Sequence, residues 1–187
     1  MTTGLDTSQI RVAGTGAIWK APLGTTLPVD STTAWGTGFV NLGYAASGFT
    51  VTPSLKTTSV FGWQSTNVLR NIITELTRKY AFELQQTTAD SLALAWGGTI
   101  VPSTGGKYSI TVPNEATIGE YVIGIDWSDG ASNQRIIVQR AGALTLPPIK
   151  GDRTAETTYA LEFQELVPGD GTSSVLIYGV DAAVGGV

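Results

Sequence analysis

Polar and apolar positions alternate with a period of two along much of the chain, the pattern of strands that bury one face. The clearest case is residues 75–85. Leu76, Tyr80, Phe82 and Leu84 share one side, Glu75, Thr77, Lys79, Glu83 and Gln85 share the other, and Arg78 interrupts the apolar side. Just before it, residues 57–64 (TTSVFGWQ) are β-prone and aromatic, 65–67 form a short polar turn, and 68–87 run without Gly or Pro. Together they predict an unusually long hairpin over 57–87.

The same reading extends to the rest of the chain. Residues 11–20 predict a short strand weakened by Gly14 and Gly16, and 39–44 and 49–53 predict two more around a Gly-rich turn. Residues 107–112, 134–140 and 174–180 predict further strands. In 120–127, Tyr121, Ile123, Ile125 and Trp127 share a face; in 157–167, Tyr159, Leu161, Phe163 and Val167 do, with Glu162 and Gln164 opposite. Residues 128–130 and 168–171 read as turns, and Pro147-Pro148 breaks the sheet. One segment differs: residues 88–96 predict a helix, with Thr88 as N-cap, Asp90 in the first turn and Gly97-Gly98 as the stop. Residues 1–38 read as a flexible N-terminal arm followed by a long Pro/Gly/Thr loop, and 181–187 as a frayed end. The loop is either disordered or an arm that reaches a neighbouring subunit. The whole predicts one mainly β domain over 1–187, a β-sandwich or barrel-like sheet with one short flanking helix and a long β-hairpin.

Composition narrows the chemistry. The 187 residues include no Cys and no His, which removes disulfides, thiol catalysis and the commonest general base and metal ligand. Charged residues are 14% of the chain, and the net charge is −4. A weakly charged polar surface suits either a hydroxyl-rich secreted domain or a subunit whose surface is covered by neighbours. The acidic balance argues against binding nucleic acid through its phosphates, though not against nucleic acid passing close by. No apolar run is long enough to span a membrane, and the N-terminal residues lack the basic start and apolar stretch of a signal peptide.

Motifs for catalysis are weak. Glu162 and Glu165 are oddly spaced and point to opposite faces of one strand. Glu83 and Glu162 could share a sheet face, but a glycosidase dyad also needs a cleft. The run from Asp126 to Gly130 lacks the ligands of a calcium loop and reads as a hairpin turn, and Gly14-Thr15-Gly16 lacks a phosphate-cradle context. Trp19, Trp35, Trp63, Trp96 and Trp127 are either core and interface anchors or a sugar platform. No catalytic, cofactor or metal residue is expected.

The order of local features resembles the major tail tube proteins (major tail subunits) of long-tailed siphophages, particularly actinobacteriophages. It is carried by residues 12–24 (VAGTGAIWKAPLG), 30–33, 39–44 (FVNLGY), Phe61-Gly62-Trp63-Gln64, Val68-Leu69-Arg70, the 75–86 strand and the helix end Trp96-Gly97-Gly98, over roughly residues 10–180. The resemblance implies a non-enzymatic virion protein without cofactors, made in the bacterial host cytoplasm. Such subunits form hexameric rings that stack into a hollow tube, filled first by a tape measure protein and later crossed by double-stranded DNA. Tail terminator and distal tail proteins are the implied partners. Lumen-facing candidates on this reading are Glu75, Lys79, Glu83, Gln85, Glu162 and Gln164, with Lys79 departing from an acidic lining. Inter-subunit candidates are Trp19, Trp35, Phe61, Trp63, Asn67 and Arg70, and the turn at 166–171 and the helix end would lie on the outer rim. The alternatives are another virion oligomer, such as a tail terminator or capsid decoration protein, a carbohydrate-binding β-sandwich, or a carboxylate hydrolase.

Overall fold

The computed structural model describes residues 10–115 and 117–180. The arm expected before Ile10 and the frayed end expected over 181–187 lie outside the described residues. The chain is mainly β, in order β1 (Thr15–Ala21), β2 (Val40–Asn41), β3 (Ala45–Gly62), β4 (Ser65–Leu84), α1 (Ala89–Trp96), β5 (Thr99–Pro102), β6 (Tyr108–Thr111), β7 (Glu120–Asp129), β8 (Ser132–Ala143), β9 (Tyr159–Glu165) and β10 (Val175–Val180).

An eight-stranded antiparallel sheet runs β2-β1-β7-β8-β9-β4-β3, with β10 also pairing with β8. β8 can serve both neighbours because its first half pairs with β10 and its last residues, Ala141 to Ala143, pair with β9. A bulge between these stretches puts Val138 and Ala141 on the same inner side. The sheet curls until β1, next to one end of the order, touches β3 at the other end.

Inside the curl lies the main core. Ile18, Tyr80, Phe82, Leu84, Ile123, Ile125, Leu161 and Phe163 alternate inward from β1, β4, β7 and β9. The rings of Phe82 and Phe163 stack at 5.6 Å. Helix α1 closes one end of this core with Leu94 and Ala95. Its ends are made locally: Thr88 Oγ1 accepts from the Ser91 amide at 3.1 Å, and Ser91 Oγ accepts from the Thr88 amide at 2.8 Å. Gly97 takes the left-handed conformation at φ 63° that ends the helix. β5 and β6 form a separate small hairpin behind it, and β5 has no counterpart in the strands predicted from sequence.

The other side of the same sheet is divided. Over β1, β7 and β8 it is covered: Ala21, Val122 and Ile137 pack under Leu27, Trp35 and Phe39 of the long loop and under Leu176 and Tyr178 of β10. Burial on both sides explains why β7 reads as a nearly continuous apolar run. Over β9, β4 and β3 none of the described loops covers the sheet, and the outward residues are mostly polar, with Ala81 and Ala160 among them and Val60 and Ile72 farther out on the hairpin.

Candidate functional site

The hairpin is the outstanding surface. Its strands are already paired at Ala45–Leu84, well before the expected start at residue 57, and Trp63 and Gln64 make its turn rather than 65–67. The polar residues 66 and 67 are instead absorbed by an irregularity in β4 near the tip. Near its root, Phe49/Phe82 and Val51/Tyr80 face the core. From Pro53/Arg78 outward the two strands leave the body for ten paired residues of β3, about 30 Å of extended chain. No third strand accompanies them among the described residues.

The core-facing side continues onto this projecting part. Leu55/Leu76, Thr57/Ile73, Ser59/Asn71 and Phe61/Val68 are successive pairs on it; the polar pair Ser59/Asn71 interrupts the run, and the large apolar members of the other three are exposed. Trp63 at the tip is 98% exposed. Arg70 pairs with Val60 on the opposite side, and the Asn67 amide donates to Ser65 Oγ. Phe61, Trp63, Asn67 and Arg70 thus cluster at the tip.

Arg78, which interrupts the apolar alternation, stands where the hairpin leaves the body. Its Nη1 donates to both oxygens of Glu165 at 2.9 Å, raising the guanidinium pKa. Burial, with Glu165 beside it, pushes the Tyr80 phenol up to about 12. A cleft of about 520 Å³ opens here between Val51, Pro53 and Arg78 on one wall and Val175 and Ile177 on the other.

The bare polar side gathers most of the acidic and amide candidates. Lys79 is paired with Gln164, Ala81 with Glu162, and Glu83 with Ala160, so Lys79, Glu83, Glu162 and Gln164 form one patch. Lys79 Nζ donates to Glu162 Oε1 at 3.1 Å. Gln85 sits at the patch edge and donates to Glu156 at 3.1 Å, while Glu75 lies out on the hairpin and accepts from Lys56 at 2.7 Å. The sequence reading missed a third ion pair, which borders this patch at the ends of β7 and β8, where Glu120 is paired with Gly142 and Gly142 with Gln164. Arg140 grips Glu120 through Nε and Nη2 at 2.9 and 3.0 Å, which holds the Glu120 carboxyl below its ordinary pKa. Lys56 opposite Glu75 follows from the hairpin register; Arg140 could not be placed because a bulge displaces it.

Trp19 and Trp35 are brought together elsewhere. Their rings stack at 5.5 Å, and Trp35 also meets Phe39 at 4.6 Å. Arg135 lies 4.3 Å from the Trp35 ring centre, and Trp35 Nε1 donates to Asp126. Gly124 lies beneath this ring, and a Cβ there would collide with it. Arg135 also donates to Asp126 Oδ1 at 2.7 Å and to the carbonyls of Asp30 and Thr33 at 2.8 and 2.7 Å. These contacts fasten the long loop to its own sheet.

The weak motifs acquire structural partners. Asp126 is held by Arg135 and Trp35, and Asp129 accepts from the Val12 amide at 2.9 Å. Gly16 packs against the Asp126 carbonyl, where a Cβ would clash. Glu83 and Glu162 share a shallow open depression, and Glu162 is already paired with Lys79. Among the described residues no helix is long and apolar enough to cross a membrane.

A family model described as phage tail tube protein matches residues 3–171. No curated protein matches the chain.

Proposed function

The chain belongs to the phage tail tube protein family, a structural family of the virion tail, and from that premise we propose that it polymerises as stacked hexameric rings into the hollow tube through which double-stranded DNA is ejected. It works without catalysis or cofactor, and is assembled in the host cytoplasm around a tape measure protein, between distal tail and terminator proteins.

One observation carries this reading: the side that fills the core runs on along the projecting hairpin with Leu55, Leu76, Ile73, Phe61 and Val68 exposed on it, broken by Ser59/Asn71, and none of the other described residues covers it. Contiguous exposed apolar surface of this kind marks an interaction site, and an isolated two-stranded ribbon is only marginally stable in water. A second copy, presenting a different surface, can cover the ribbon and close a ring. Phe61, Trp63, Asn67 and Arg70 at the tip are the contact residues of this reading. Trp19 and Trp35 contribute by stiffening the loop that a neighbour meets. The polar side of β9, β4 and β3, with Glu75, Lys79, Glu83, Gln85, Glu162 and Gln164, faces the lumen, because it is the part of the sheet that is wet and, among the described residues, free of loop cover.

Negative-stain microscopy of concentrated protein, with and without tail tips as seeds, tests the reading. Six-fold rings or hollow tubes are expected. A protein that stays monomeric under both conditions overturns it.

A further inference from the structure

Resting on the lumen assignment just proposed, we infer that Glu75, Glu120 and Glu162 act as masks, each holding a cation of the wall so that it cannot grip passing phosphate. The polar side is not simply acidic. Inward of the tip, where Arg70 lies on the same side among the proposed contact residues, Lys56, Lys79 and Arg140 lie beside Glu75, Glu83, Glu120 and Glu162, so carboxylates exceed cations there by one. A nearly balanced face repels DNA only weakly as a whole. What sets its behaviour is the local availability of each cation.

Each of these cations is engaged from the neighbouring strand. Lys56 on β3 reaches Glu75 on β4 at 2.7 Å, Lys79 on β4 reaches Glu162 on β9 at 3.1 Å, and Arg140 on β8 reaches Glu120 on β7 at 2.9 Å. The register makes these pairs: Lys56 and Glu75 are direct partners, while Glu162 lies diagonally across from Lys79, whose direct partner is Gln164. The side chains remain accessible, at 65%, 44% and 36% for the three cations, so they would meet DNA if released. Phosphate contacts by Lys and Arg supply sequence-independent affinity through counterion release. A cation already neutralised by a carboxylate releases no counterion, and the phosphate must displace the carboxylate first. Glu83 has no cation of its own in this set and adds the residual negative charge.

The test compares binding of a short labelled DNA duplex to the purified subunit at low salt. The triple variant Glu75→Gln, Glu120→Gln and Glu162→Gln is expected to bind at least about tenfold more tightly than the unaltered protein, with a log-log salt slope near −3 for three released cations. Adding Lys56→Gln and Lys79→Gln to the triple variant should remove most of the gain. Glu162→Gln alone should give a smaller gain with a slope near −1, and it serves if the triple variant folds poorly. A matched change of net charge that frees none of these cations, Glu83→Gln with Glu115→Gln and Asp170→Asn, should give no comparable gain. Equal binding by that control, or no gain in either masking variant, overturns the inference. Tube formation by the unaltered protein is scored separately by microscopy, so failure of the tube and failure of the masking are seen in different measurements.

Discussion

Arg135 is only 4% exposed, yet it holds a carboxylate, an indole face and two loop carbonyls at once. Replacing it with Met leaves Asp126 without its cation and the carbonyls of Asp30 and Thr33 without a donor. Arg135→Met is expected to cost about 2–4 kcal/mol, measured by urea unfolding, with a red shift of tryptophan emission as Trp35 is uncovered. Asp30 prepares the same site, because its carboxylate accepts from the Thr32 and Thr33 amides and orders the turn whose carbonyls face Arg135. Those bonds, led by the Thr33 amide, lower its pKa from 3.8 to about 2. Its contribution is therefore complete above pH 3.8 and lost as pH falls through about 2. An acid titration followed by tryptophan emission should show the loop loosening in that window, and Asp30→Ala should flatten the change. None of this was legible in the sequence. Arg135 and the loop carbonyls it binds are separated by 105 and 102 residues, and Leu27, Trp35 and Phe39 sit in a Pro/Gly/Thr segment whose composition signals only irregular chain.

At the scale of elements, what was legible is what local physics dictates. The alternation through 75–85 is visible because half of β4 fills the core, with Tyr80, Phe82 and Leu84 buried. Helix α1 is visible because cap and stop are written in Thr88 and Gly97. Thr88→Ala should lower stability by about 1 kcal/mol, read as a shift in the denaturation midpoint. The early start of β3 was hidden by Gly48 and Pro53, which read as breaks; β3 accommodates Pro53 because it is an edge strand with β4 as its one partner among the described residues. The true turn was hidden because polarity drew attention to 65–67, whereas register and bulges place it at Trp63 and Gln64. The projecting part gives a separable prediction. Leu55→Asp with Ile73→Asp should leave the unfolding free energy within about 0.5 kcal/mol, since both side chains are already exposed. The same variant should abolish rings and tubes in negative stain, because the added charges must be buried there.

For the whole molecule, one sheet side performs two tasks: it is padded by the loop over β1, β7 and β8 and left bare over β9, β4 and β3. If the bare sector lines the tube, Lys79 should be shielded there from an amine reagent too large to enter, while Lys150, 83% exposed on its side chain, stays reactive. Mass spectrometry of labelled tubes and labelled free subunits should show the Lys79 signal falling severalfold on assembly with Lys150 unchanged. The continuity of β4 has a mechanical consequence. The strand that carries the far end of the ribbon is the same one clamped between β3 and β9 in the body, with the Arg78–Glu165 bridge at its exit. A tug on the ribbon along its length is therefore resisted by a ladder loaded in shear, many hydrogen bonds at a time, whereas a sideways pull opens them one after another. A filament built from such subunits would be stiff in stretching and compliant in bending.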